Sequence, residues 1–289
     1  MAAGLENPLG LIAGAGRFPF LVAEGARRAG RPVVIIGLRG LADPRLAAQA
    51  DRFHWSGVVR LGQWIRLLRR YGAAEAIMAG SVRKSDMYCR FRLLRFLPDW
   101  TSLKLWFFEV PDRRNDTILR AVADRMADKG IILTDSLRYC GEQLPGPGVL
   151  ARLRPGDAQR KDLAFGWPIA REIARLDIGQ SIAVKEQEVI AVEAIEGTDR
   201  MIQRAGSLCR SGGWMLIKVA KPDQDRRFDV PTVGPDTIEN LHRHGGTTLV
   251  IEARRTLVID GPQLVQRADQ LGIVVMAVAD EPESPSPLP

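Results

Sequence analysis

The sequence predicts an α/β protein of two domains: an N-terminal Rossmann-like domain with a mostly parallel sheet and a mixed α/β C-terminal domain. Three observations carry this reading. Apolar strand-like runs alternate with helical patterns through the first half, the order that builds a parallel sheet covered by helices. Pro145-Gly146-Pro147-Gly148 is the strongest punctuation in the chain and reads as a linker. Beyond it, two strand patterns follow each other across the polar turn Lys185-Glu186-Gln187, so the second half is not a regular alternation. The expected boundaries are 1–144 for the first domain, 145–155 for the linker, 156–279 for the second domain, and 280–289 for a Pro/Ser/acid-rich disordered tail.

The elements follow in order. Pro8 to Ala13 is a buried strand, Gly14-Ala15-Gly16 turns the chain, and Pro19 occupies a first helical turn where proline is tolerated. That helix runs to about Ala29 and stops at Gly30, and Pro32 to Ile36 returns as a second strand. A third strand is expected near Phe53 to Val59, a helix over Gln63 to Tyr71, and a strand over Glu75 to Ala79 ending at Gly80-Ser81. Asp116 to Asp128 has helical spacing of its apolar residues, and Ile131 to Leu133 is the next strand. In the second half a helix spans about Asp157 to Leu176, then strands cover Gln180 to Val184 and Glu188 to Ile195. A helix over Asp199 to Arg210, a strand over Trp214 to Ala220 and a helix over Asp236 to His244 follow. Short strands at Thr248 to Glu252 and Thr256 to Ile259, a helix at Pro262 to Leu271 and a strand at Ile273 to Val278 close the domain.

Composition removes several classes of function. Cys89, Cys140 and Cys209 are odd in number and far apart, so neither a disulfide framework nor a structural zinc site is expected. His242 and His244 have no third ligand nearby in sequence and read as a helix end rather than a metal pair. The opening residues lack a basic region followed by an apolar core, and no apolar run is long enough to span a bilayer, so a cytoplasmic protein is expected. A net charge of +7 favours an anionic partner. Without a basic tail, zinc finger or aromatic-basic RNA signature, nucleic acid is not the expected one.

The glycine turn at Gly14-Ala15-Gly16 invites comparison with a dinucleotide site. That fingerprint needs a third glycine, where Pro19 stands, and an acid after the second strand, where Gly37-Leu38-Arg39-Gly40 stands. Both tests fail. Two readings stay open: a glycine loop at a helix N-terminus that receives phosphate or a polar head group, or a tight turn without ligand.

Two segments of the second half hold more chemistry than structure demands. Glu193, Glu196 and Asp199 cluster where a strand passes into a helix that Thr198 or Asp199 would cap. The run Lys221-Pro222-Asp223-Gln224-Asp225-Arg226-Arg227-Phe228-Asp229-Val230-Pro231 directly follows a strand and interleaves carboxylates with cations between two prolines. Oxygen ligands at a strand end suit Mg²⁺, and guanidinium groups suit phosphoryl oxygens. Together they describe metal-assisted phosphoryl chemistry; the alternative is a solvated charged loop held by its own ion pairs. A third block, Arg83-Lys84, Arg90 to Leu97, Trp100 and Leu103 to Phe108, mixes cations and aromatics. It reads either as a lipid-facing surface or acyl groove or as an amphipathic helix facing the core.

Leu9 to Pro19, Asp177-Ile178-Gly179-Gln180, Glu193 to Asp199, and Lys221 to Pro235 with Thr237 resemble the LpxI-type UDP-2,3-diacylglucosamine pyrophosphatases of lipid A biosynthesis. The resemblance covers nearly the whole chain, with Phe18 where leucine is usual and Arg114 where glycine is expected. It implies hydrolysis of UDP-2,3-diacylglucosamine to UMP and lipid X, a Mg²⁺ cofactor, a ligand cleft between the two domains, a homodimer, and an essential aspartate at Asp225. On that footing Asp225, Arg226 and Arg227 are the candidate catalytic residues, and Asp225, Glu193, Glu196 and Asp199 the candidate metal ligands. Gly14, Ala15, Gly16, Gly80, Ser81, Gln180, Thr198, Lys221 and Gln224 are the candidate substrate contacts, with transient contact to the inner membrane. The rival expectations are a nucleotide-sugar oxidoreductase and a non-catalytic lipid- or nucleotide-binding protein.

Overall fold

A computed structural model describes residues 6–82, 98–110, 115–222, 225–228 and 230–279, without the side chains of Phe108, Glu109, Asn115 and Asp116. The chain divides into two units: Met1–Gly141 with Arg226–Phe228, and Glu142–Asp225 with Asp229–Pro289. The expected tail and most of the cation-aromatic block lie outside the described residues.

In the first unit β1 (Leu9–Ala13) and β2 (Val33–Leu38) are buried at every position, as expected of parallel strands covered on both faces. They join β3 (Arg52–Ser56), β4 (Glu75–Ala79) and β5 (Ile132–Leu133) in the order β3-β2-β1-β4-β5, every pairing parallel. The order reverses at β1, so the gap between the ends of β1 and β4 is the topological switch point, where open α/β sheets receive ligands. Helices α1 (Phe18–Arg28) and α2 (Leu61–Arg70) cover the sheet. A short α3 (Trp100–Lys104) runs straight into a π-helical turn, Leu105–Glu109, and α4 (Asn115–Ala127) leads to β5. The core joins Ile12, Val34 and Ile36 of the sheet to Trp64, Leu68 and Met126 of the helices. A 3₁₀ segment at Pro44–Gln49, which Asp43 caps by accepting from the Arg45 amide, escaped the sequence reading because it buries a single side chain, Leu46.

The second unit is a six-stranded mixed sheet in the order β6-β13-β11-β9-β7-β8. β9 (Trp214–Lys218), β11 (Gly246–Glu252) and β13 (Val274–Val278) run parallel, while β7 (Ser181–Lys185) and β8 (Glu188–Val192) form an antiparallel hairpin on one side. On the other side β6 (Gly148–Val149) pairs antiparallel with β13, and the Pro145 carbonyl accepts from the Arg254 amide. Part of the segment expected to be a linker is therefore held on the sheet of this unit. Helices α5 (Asp157–Arg175), α6 (Thr198–Leu208), α7 (Pro235–Arg243) and α8 (Gly261–Leu271) cover the faces, giving one apolar cluster on each side. The strand expected over Thr256 to Ile259 is shorter and stands apart. It is β12 (Leu257–Val258), paired in parallel with β10 (Thr232–Val233) in a two-stranded sheet of its own.

Candidate active site

In the first unit the glycine segments meet at the switch point. The Gly14 amide donates to the Ala79 carbonyl at 2.8 Å, and Ala15 and Ser81 exchange a pair of backbone bonds at 3.0 and 2.9 Å. Gly80 is at φ +92°, and a Cβ there would lie 2.6 Å from the Ala15 oxygen and 2.8 Å from the Gly14 carbonyl carbon. No other residue fits without moving the turn. Gly14, Ala15, Gly80 and Ser81 are thus one backbone-lined feature, with Gly16 next to it at the entry to α1. The α1 N-cap position, Arg17, makes no side-chain cap.

The same carboxyl edge receives the Arg226–Phe228 stretch, which belongs to this unit. Beyond β5 the turn Thr134-Asp135-Ser136 is set by Asp135, whose Oδ1 accepts from the Leu137 amide at 2.8 Å. Buried Ser136 then grips the carbonyl of Arg226 with both its amide (3.0 Å) and its Oγ (2.6 Å). The Arg226 guanidinium lies 3.3 Å from Asp135 Oδ2, the Arg227 guanidinium sits 4.9 Å over the Phe228 ring, and Phe228 packs on the first unit's core. Asp225, half-buried, directly precedes this docked stretch. Gln224, with Asp223 and Asp229, lies outside the described residues.

In the second unit the other candidates collect at the carboxyl ends of β8, β9 and β11. Thr198 Oγ1 donates to Glu193, 3.1 Å from each carboxylate oxygen, and accepts from Lys218 Nζ at 3.0 Å. The Gln180 carbonyl accepts from the Val219 amide, and Lys221 Nζ reaches Asp177 Oδ1 at 2.5 Å. Gly179 explains why the Asp177-to-Gln180 stretch contains a glycine. A Cβ there would fall 1.9 Å from the Glu193 carbonyl oxygen.

The four carboxylates expected to share a metal do not converge. Glu193 is engaged by Thr198, and Asp199 accepts from Asn240 at 3.4 Å at the exposed start of α6. Glu196 takes a 2.6 Å bond from Arg204 and a 3.1 Å bond from the Ala194 amide. Burial alone would raise the Glu196 carboxyl, but these donors and its own amide outweigh it and hold it below the usual carboxylate range. Among the described residues no group of three or more His, Cys, Asp or Glu side chains is placed to hold a metal ion. The physical reason is that Glu193, Glu196 and Asp199 are each already local hydrogen-bond acceptors around the strand-to-helix junction.

The sequence reading missed the anchor at the start of the acidic-basic run. Glu252, only 1% exposed at the end of β11, accepts from the Ala220 amide at 2.7 Å, from Arg171 at 3.0 Å and from Arg255 at 3.2 Å. Arg255 also donates to the carbonyls of Lys221 (2.9 Å) and Pro222 (3.1 Å). A glutamate closing the apolar run Leu249-Val250-Ile251, three residues before an arginine, was the available signal.

Comparison with known proteins adds the family. The LpxI N-terminal domain model matches residues 8–143 and the LpxI C-terminal domain model residues 146–276. The chain belongs to the LpxI family. A curated member, the UDP-2,3-diacylglucosamine pyrophosphatase LpxI of Caulobacter vibrioides, is 35% identical over 96% of this chain and 99% of its own length. Among solved structures, a nucleoside-diphosphate-sugar epimerase from Pseudomonas aeruginosa aligns over 93% of this chain and 87% of its own. Its identity is 12% and its TM-score 0.27, a level that carries no argument.

Proposed function

We propose that this LpxI-family chain hydrolyses the pyrophosphate of UDP-2,3-diacylglucosamine to UMP and 2,3-diacylglucosamine 1-phosphate, a step of lipid A synthesis at the cytoplasmic face of the inner membrane. The likeness to the curated pyrophosphatase supports the substrate. The observation that carries the assignment of residues is the grip of Ser136 on the Arg226 carbonyl. It holds Arg226 and Arg227 at the carboxyl edge of a parallel sheet whose switch point is lined by glycine backbone, and Asp225 precedes them in sequence. In this reading Asp225 orients the attacking water. Arg226 and Arg227 offset charge on the phosphoryl oxygens, and the Gly14–Gly16 and Gly80-Ser81 backbone holds the nucleotide or head group.

A magnesium ion belongs to the proposal in a narrower form than the shared four-acid site. Mg²⁺ commonly takes one or two carboxylates and completes its shell with phosphate oxygens and water, which half-buried Asp225 suits. When bound it would supply positive charge for the phosphoryl oxygens. Glu193, Glu196 and Asp199 are left to hold the start of α6. A homodimer is a further part of the proposal, read by light scattering. The deciding assay follows UMP release from UDP-2,3-diacylglucosamine with Mg²⁺ and with EDTA. Asp225→Asn should lower turnover by on the order of 10²-fold or more, and undiminished turnover by the folded variant sinks the assignment. Substrate retention without UMP favours a binding protein, and a nicotinamide fluorescence response favours an oxidoreductase.

A further inference from the structure

The first unit carries a second cationic surface that the proposed reaction does not use. The inner face of α2 buries Leu61, Trp64, Ile65 and Leu68, which leaves Arg66, Arg69 and Arg70 exposed on its outer face, three and four residues apart and so side by side. With Lys129 they line an open cleft of about 470 Å³ that Ile65 and Thr101 also line, and among the described residues no carboxylate lines it. Among the described residues no acid pairs with Arg66, Arg69 or Lys129. The cleft is flanked by α3, which is fixed to the start of α2. Asp99 Oδ2 accepts from the Gln63 amide and Ser102 Oγ from the Leu61 amide, both at 3.0 Å. This fixed element presents Trp100 at 71% exposure, and the π turn that continues it presents Phe107 at 70% and Trp106 at 37%. Lys104 lies 5.8 Å over the Trp100 ring.

We propose that this α2–α3 face docks the protein on an anionic phospholipid bilayer, with Arg66, Arg69, Arg70 and Lys129 against the head groups and Trp100 and Phe107 in the interface. Rings this exposed would be an aggregation liability if they faced only water. Beside unpaired cations they have the composition of interfacial anchors. The net charge of +7 adds a long-range attraction to the same surface. Docking here rests on charge and exposed aromatic area, so it stands apart from the assignment of the reaction.

The test is sedimentation with vesicles of phosphatidylglycerol and phosphatidylcholine against vesicles of phosphatidylcholine alone. Binding should require the anionic lipid and weaken as salt is raised, because exposed charges are screened. Each cation removed should cost about fivefold, so Arg66→Gln with Arg69→Gln and Lys129→Gln should weaken binding roughly 100-fold. Trp100→Ala with Phe107→Ala should weaken it while leaving the salt dependence in place. UMP release from detergent-dispersed substrate should be unchanged in both variants, which separates failure of docking from failure of the catalytic reading. Should the triple variant not fold, the wild-type emission offers a second measurement: a vesicle-induced blue shift that Trp100→Phe abolishes. Equal binding to neutral vesicles, unaltered binding by the variants, or tighter binding of an oligonucleotide through the same residues would each overturn the proposal.

Discussion

Removing the Arg255 side chain should damage turnover more than it damages the fold. Arg255 makes three contacts, to Glu252 at 3.2 Å and to the carbonyls of Lys221 and Pro222 at 2.9 and 3.1 Å. At about 1 kcal/mol per bond the sum would be about 3 kcal/mol. The side chain is 37% exposed, so solvent screening and the freedom it regains trim the stability cost of Arg255→Ala to roughly 2 kcal/mol. Glu252 keeps its bonds from Arg171 and the Ala220 amide, so no buried charge is left bare. Glu252→Ala should cost more, about 3–5 kcal/mol, because Arg171 and the buried amide then lose their shared acceptor. A melt should place Arg255→Ala about 4–8 °C below wild type.

Activity should respond differently. The two carbonyls that Arg255 holds lie just upstream of Asp225, and displacement of a catalytic group by about 1 Å can cost 10²-fold. UMP release by Arg255→Ala should therefore fall roughly 10- to 100-fold in kcat, with KM little altered, at a temperature where the variant is fully folded. Arg255→Lys should recover part of the lost stability through a single contact to Glu252. It should not recover kcat, since an ammonium lacks the planar fork that holds Glu252 with one nitrogen and both carbonyls with the other. Full kcat in Arg255→Ala, or full restoration by lysine, would show that the network is scaffold alone and has no part in placing Asp225.

Gly179→Ala forces a methyl to within 1.9 Å of the Glu193 carbonyl, so the strand ends must part; a loss of about 2–3 kcal/mol is expected by denaturant unfolding. Glu75 opens β4 and takes bonds from Arg31 at 2.6 Å and Arg138 at 3.0 Å, and the Arg31 hydrogen bond holds its carboxyl below the usual range. A lowered folded pKa means stability that is present above the ordinary carboxylate range and is lost as pH falls through the folded value. Glu75→Gln should accordingly be less stable than wild type by about 1 kcal/mol at pH 7, with the two stability curves meeting in acid; a constant gap down to low pH would contradict the ion-pair account.

Much of the fold was legible because its signals are local. Leu9 to Ala13 and Val33 to Leu38 are apolar without interruption, and that is how strands buried on both faces read. Gly30 and Pro145-Gly146 punctuate without tertiary help. The strand expected at Thr256 to Ile259 was found only at Leu257–Val258, away from the main sheet, because pairing partners are chosen by topology and not by the composition of the strand. The site was legible in chemistry and not in position. Acids and cations in one run between prolines announced an anionic ligand. Nothing in the Glu193–Asp199 segment revealed that Glu196 belongs to Arg204 or Asp199 to Asn240, since those partners lie 8 and 41 residues away.

The manner of anchoring explains that division. The stretch up to Pro222 is held through the carbonyls of Lys221 and Pro222, and the stretch from Arg226 through the carbonyl of Arg226. Main-chain oxygens are the same whatever side chain they follow, so these anchors leave no trace in the composition of the run itself. Their trace is on the donors, Arg255 and Ser136, which stand 30 residues downstream of Asp225 and 89 upstream of it. An anchor of this kind also leaves the side chains of the run to be chosen for chemistry, as the repeated Asp and Arg suggest. It follows that exchanging residues within Asp225–Arg227 should alter the reaction with little effect on stability, while altering the donors should disturb where the same chemistry is aimed.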